Sequence, residues 1–115
     1  MSETVRAVTG VEFEREALQA DGLVLEDFWA AWCPPCRRLA PTLEALAGAY
    51  EGQVTVLKVN VDESPEISMR YGIQSIPTLI LFRDGRMVDR RLGALPMEEL
   101  RRFVDAHLVP AAAIA

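Results

Sequence analysis

The sequence predicts an α/β domain built on a mixed central sheet with helices on both faces. Three observations lead there. Short apolar or β-branched runs alternate with helical patterns through the first two thirds of the chain, the usual mark of parallel βαβ pairing. Two late runs are separated only by Asp84-Gly85, which makes an antiparallel hairpin. The length, 115 residues, fills one sizeable core but not two. The order read this way is β-α-β-α-β-α-β-β-α within one domain, 1–115.

Val5–Val8 reads as a short strand. Thr9 followed by Glu12 has the form of a capping box and opens a helix over about Val11–Gln19, which Asp21-Gly22 stops. Leu23–Phe28 is apolar in the main and free of Gly and Pro, as a buried strand requires. A helical pattern (Leu39, Leu43, Leu46, Tyr50) then starts at the Cys33-Pro34-Pro35-Cys36 segment and ends at Gly52. Proline is tolerated in a first turn, where its N–H is not needed, but Pro41 lies deeper and predicts a kink. Val54–Val61 alternates as a strand, and Ser64-Pro65 begins a short helix closed by Gly72. Thr78–Phe82 and Met87–Leu92 are the hairpin strands. Pro96 starts the last helix, which runs to His107 or Leu108 with Met97, Leu100, Phe103 and Val104 on one face. The tail, 109–115, is expected to fray.

Half of the residues are hydrophobic, a quarter are charged, and the net charge is −5 with no basic run. Nothing in that balance invites a nucleic-acid backbone or an anionic membrane. No apolar run approaches the ~18 residues of a membrane span, and MSETVRAVTG lacks the basic start and apolar core of a signal peptide. The expected location is cytoplasmic.

The two cysteines stand at i and i+3. On a helix that spacing leaves roughly 5 Å between Cα atoms, which suits a disulfide. A structural staple gains most from closing a long loop, and this pair closes a single turn. As N-cap, Cys33 would direct its sulfur at the positive end of the helix, which favours the thiolate that attacks disulfides; Cys36, inside the first turn, would resolve the mixed disulfide. The competing reading is half a zinc site. It lacks ligands, since His107 is the only histidine and Cys2His does not close a structural site. A metal or iron–sulfur cluster shared between two chains stays open on ligand count.

Asp27-Phe28-Trp29-Ala30 leading into Trp32-Cys33-x-Pro35-Cys36 resembles the active-site segment of the thioredoxin family. Ile76-Pro77-Thr78 after Tyr71-Gly72-Ile73, and Gly93-Ala94-Leu95 before the last helix, resemble it too. The likeness runs from Val5 to Leu108 and implies the thioredoxin fold and a protein disulfide reductase working by thiol–disulfide exchange. It makes Cys33 the exposed nucleophile, Cys36 the resolving thiol, and Pro77 a cis-proline facing them, with the Ile76 backbone pairing with the substrate chain. Trp32, Pro34, Pro35, Gly72–Ile76, Gly93 and Ala94 would form the docking rim. Asp27 resembles the buried carboxylate behind Cys36, with Lys58 as its neighbour and Trp29 and Pro41 in support. No cofactor is bound; the redox-active disulfide is recharged from NADPH through a flavin-containing thioredoxin reductase, and the chain acts on disulfide-containing clients as a monomer. The family is a standing example of C-x-x-C chemistry, so a depressed thiol pKa and a reducing potential come with the likeness alone.

Read without the likeness, Asp27 is a solvated strand-end acid or a buried one, Lys58 an outward strand lysine, Trp29 a core residue, and Pro77 a strand-edge proline. Glu26 departs from the family, which has an apolar residue there. Adjacent strand residues face opposite ways, so one acid needs an unusual accommodation, for which an arginine is the expected partner. The second departure is Pro34 in place of the usual glycine. It removes an N–H that could point at the Cys33 sulfur, weakening the thiolate and making the couple more reducing, while Arg37 and Arg38 oppose this with positive charge. An oxidant or isomerase of the same fold, and a non-catalytic binding module, are the remaining alternatives.

Overall fold

The computed structural model describes residues 5–108; the tail expected to fray lies outside them. Five strands form one sheet, β1 (Val5–Ala7), β2 (Leu23–Trp29), β3 (Val54–Asn60), β4 (Thr78–Arg83) and β5 (Arg86–Leu92), in the spatial order β1-β3-β2-β4-β5. β3 pairs parallel with β1 and β2, whereas β4 pairs antiparallel with β2 and β5. The sheet is therefore mixed, as alternation followed by a hairpin requires.

The helices are α1 (Gly10–Phe13), α2 (Pro34–Ala49), α3 (Pro65–Arg70) and α4 (Met97–Asp105). The capping box is half realised: the Glu12 carboxylate accepts the Thr9 backbone N–H at 3.0 Å and the Thr9 hydroxyl at 3.1 Å. The sequence predicts one helix through Gln19. Instead α1 widens into a π-helical stretch, Glu14–Leu18, which keeps Phe13 and Ala17 fully buried on the sheet side. α2 runs without a break through Pro41, which offers no N–H to the Arg37 carbonyl.

Leu23 to Phe28 are all buried because β2 is central and covered on both faces. On one face Leu25, Val56 and Leu81 pack against Leu39, Leu43 and Leu46 of α2 and Leu100, Phe103 and Val104 of α4. On the other, Val24, Phe28 and Ile80 meet Phe13 of α1 and Ile67 of α3. There Phe13, Tyr71 and Phe82 pack edge to face, with centroids 5.5–5.8 Å apart. Tyr50, which ends α2, donates its hydroxyl to Asp105 Oδ1 at 2.7 Å and ties α2 to α4.

The hairpin turn has φ of 50° at Asp84 and 85° at Gly85, the left-handed pair that a two-residue turn needs. It is tethered to the start of β2, with Asp84 N–H donating to the Gly22 carbonyl at 3.0 Å and Gly22 N–H to Asp84 Oδ1 at 2.8 Å. Further along, Val88 is an extra residue, since Met87 opposes Phe82 and Asp89 opposes Leu81; β5 carries a bulge.

Two glycines with the same φ separate two costs. A Cβ on Gly85 would strike the Leu18 carbonyl, whereas one on Gly22 meets nothing within 4 Å. Gly22→Ala is expected to cost about 1–2 kcal/mol, the left-handed penalty alone, and Gly85→Ala at least about 1 kcal/mol more. Urea unfolding of both variants checks the difference.

Candidate active site

β2 delivers the chain to one end of the sheet, where Ala30 is fully buried and its carbonyl accepts the Cys33 N–H at 3.2 Å. That turn sets Cys33 at the N-cap of α2 in extended backbone (φ −97°, ψ 108°). Cys33 and Cys36 are joined as a disulfide with Cα atoms 5.2 Å apart. Pro34 and Pro35 lack an N–H, so the first amide available is that of Cys36, which donates to Cys33 Sγ at 3.2 Å. The spacing expectation is met at this point.

The exposure expected of Cys33 is not. It is only 3% accessible, little more than Cys36 at 2%. Ala30, Trp29, Val61 and Ile76 pack around the pair, and the Ile76 carbonyl oxygen lies 3.8 Å from Cys33 Sγ. Both cysteines are thus nearly covered in the disulfide form.

The Ile76–Pro77 bond is cis. Gly93 N–H donates to the Pro77 carbonyl at 2.8 Å, so the start of α4's approach and the cis-proline loop are held together beside the dithiol. Trp32 is 64% exposed, and its indole N–H donates to Asp62 Oδ2 at 2.8 Å. Asp62 is itself placed by an Asx turn in which its N–H donates to Asn60 Oδ1 at 2.8 Å. Sequence reading missed Asp62; the Asn60-Val61-Asp62 run after a strand was its only signal. Pro34 and Ala94 are exposed, Pro35 and Ile76 half-buried, and Pro41 lies exposed on α2. Arg37 donates to the Ala31 carbonyl at 2.8 Å, bracing the loop before the disulfide.

Behind the disulfide, Asp27, Cys36, Trp29, Arg37 and Lys58 line a cavity of about 270 Å³. Asp27 is 3% exposed, and Oδ1 has no hydrogen-bond partner. Burial pushes its pKa up to about 7, with the Lys58 cation pulling the other way. Lys58 pairs with Asp27 across β3 and β2 and is half-buried, its Nζ 4.9 Å from the Trp29 ring centroid. The outward lysine of the bland reading is thus turned over the cavity. Trp29 is half-buried, with its indole N–H covered and unpartnered.

Glu26 is fully buried on the opposite face, beside Leu57 and Ile80. No arginine accommodates it: neither carboxyl oxygen has a hydrogen-bond partner among the described residues. Its surroundings are the aromatic and aliphatic layer under α1 and α3, where no cation among the described residues is fully buried and the half-buried Arg90 is committed to the Tyr71 and Gly72 carbonyls. Burial raises its pKa well above the ordinary range, and the Asp27 charge raises it further; both favour the protonated form.

Both acids bind protons more tightly folded than unfolded. Their contribution to stability is therefore complete below about pH 4 and is lost as pH rises; for Asp27 the loss ends above about pH 7. Asp27→Asn is expected to stabilise the fold at about pH 8 by up to about 4 kcal/mol and far less near pH 4. Glu26→Leu, which keeps the volume and removes the unpaired oxygens, is expected to add about 1–3 kcal/mol, with a gain that grows with pH. Urea midpoints measured across that pH range check both.

Among the described residues no three His, Cys, Asp or Glu side chains are grouped to hold a metal ion, and no helix is long and apolar enough to cross a membrane. The thioredoxin family model matches residues 4–106. Thioredoxin 1 of Synechococcus elongatus is 49% identical over 89% of this chain and 95% of its own length. The thioredoxin of Pseudomonas aeruginosa is 44% identical over 94% of this chain and all of its own, and that of Rhodospirillum rubrum 46% over 90% and all of its own. These matches span the sheet, the disulfide and the cis-proline loop together. The chain belongs to the thioredoxin family, and it is a protein-disulfide oxidoreductase that works by thiol–disulfide exchange through Cys33 and Cys36.

Proposed function

We propose that the protein is a reductant of protein disulfides in the cytoplasm, acting as a monomer, with the disulfide described above as its spent form. In the reduced form the Cys33 thiolate attacks one sulfur of a client disulfide. A Cys33–client mixed disulfide forms, and the other client sulfur leaves as a thiolate and takes up a proton. Cys36 then loses its proton to Asp27 and attacks Cys33 Sγ, expelling the second client thiolate, which takes up the proton that Asp27 releases. The client gains two electrons and two protons, and Cys33–Cys36 is left oxidised. A flavin-containing reductase drawing on NADPH returns the pair to the dithiol.

The observation that carries this reading is the shared cavity behind the disulfide, where a carboxyl with a pKa of about 7 and Cys36 line one space. A base for the resolving step has to be neutral enough to release a proton again and ionised enough to accept one near neutrality. Docking is assigned to Trp32, Pro34, Pro35, Ile76, Gly93 and Ala94, the client pairing along the Ile76 backbone as an added strand. Trp29, Lys58 and Pro41 support the site from behind.

Cys36→Ser is expected to accumulate a mixed disulfide with clients, visible on non-reducing gels, and Cys33→Ser to accumulate none. The Cys33/Cys36 potential, measured in graded dithiothreitol buffers, is expected well below the glutathione poise, and a value well above it would make the protein an oxidant. Pro34→Gly restores a donor toward Cys33 Sγ and is expected to raise that potential; a lower value would overturn the donor argument.

A further inference from the structure

The segment from Gly72 to Pro77 is gripped at one end by β5 and at the other by the residue that follows it. At its far end Gly93, just past β5, donates its N–H to the Pro77 carbonyl at 2.8 Å. At its near end the guanidinium of Arg90 donates to two carbonyls, Tyr71 at 2.6 Å through Nη1 and Gly72 at 3.0 Å through Nη2. Arg90 is opposite Ile80 on β4, so its stem runs along the layer under α3 and its head reaches the end of that helix. Carbonyls at a helix C-terminus lack helical partners, and a planar fork reaching two of them fixes both position and direction. Gly72 has φ of 61°, so the chain turns sharply where Arg90 holds it.

We infer that Arg90 is a positioning residue for client docking: by clamping the Tyr71 and Gly72 carbonyls it holds the Gly72–Ile76 backbone in the line along which a client strand pairs. This rests on the reading that clients pair along Ile76. Arg90 touches neither sulfur. The end of the segment near the pair, where the Ile76 carbonyl lies 3.8 Å from Cys33 Sγ, is held separately by the Gly93–Pro77 hydrogen bond, so loss of Arg90 acts on the docking line before the dithiol. A loose segment would still leave Cys33 at the N-cap of α2, because that turn is closed by Ala30 and Cys36, which belong to other contacts.

The test uses the full chain with insulin as protein disulfide and hydroxyethyl disulfide as a substrate too small to pair along the backbone. Arg90→Ala is expected to raise KM for insulin roughly three- to tenfold with kcat kept. The rate of hydroxyethyl disulfide reduction, and the equilibrium constant of the Cys33/Cys36 couple against dithiothreitol, should each stay within about twofold of the parent. Arg90→Lys, a cation without the fork, should recover part of the loss. Amide hydrogen exchange at Gly72–Ile76 should speed up in Arg90→Ala. An unchanged KM overturns the inference. If exchange nevertheless speeds up, the fault lies in the docking reading; if it does not, Arg90 is no clamp. An equal loss on both substrates, or a shifted potential, also overturns it, because the effect would then be a general disturbance of the site.

Discussion

A helix beginning with two prolines has little to offer a cap, and this is the circumstance around which the site is arranged. Pro34 and Pro35 start α2 with fixed φ and no N–H, so the dipole end is shaped by the Cys36 amide, and that amide is taken by Cys33 Sγ. The sulfur is at once the cap of the helix and the reactive atom. β2 has to end where it does for this to hold, which in turn requires a central strand buried on both faces and two helices, α2 and α4, covering the face from which α2 rises. Packing of the core and placement of the chemistry are one requirement.

β2 also carries the two least comfortable groups in the molecule. Asp27 and Glu26 face opposite layers of the same strand, yet their surroundings differ in kind. Asp27 opens on a cavity with a cation beside it and a sulfur in front, so its proton has somewhere to go. Glu26 sits in hydrocarbon with no partner for either oxygen. One acid shares its space with a cation and a sulfur, and the other is a standing load on the fold. A buried neutral carboxyl is tolerated because it costs far less than a buried charge.

Local pattern made much of this legible. The hairpin was readable from Asp84-Gly85 and the dithiol turn from a three-residue spacing, because both are settled within a few residues of chain. Apolar patterns, caps and turn residues together located the five strands and the helices α2, α3 and α4. The π-helical turn after Phe13 was not readable, since Glu14–Leu18 has the same apolar spacing either way. The fate of Glu26 was half readable: alternation says that two adjacent acids face apart, but only the packed layers say that no arginine reaches the second. The partners of Trp32 and Arg90 lie 30 and 18–19 residues away, and a hydrogen bond across such a distance leaves no trace in local pattern. The near-complete covering of Cys33 is of the same kind, produced by Ile76 and Val61 arriving from elsewhere.

An open sheet has two free margins, and each is a template for unwanted pairing with another chain. β1 presents only three residues at its margin. β5 is seven residues long and carries exposed Met87, Val88 and Leu92, which would make it an inviting template. The Val88 bulge interrupts its hydrogen-bonding comb, and Arg86 places a charge at its exposed start. Bulge and charge together make this margin a poor template for a second copy of itself.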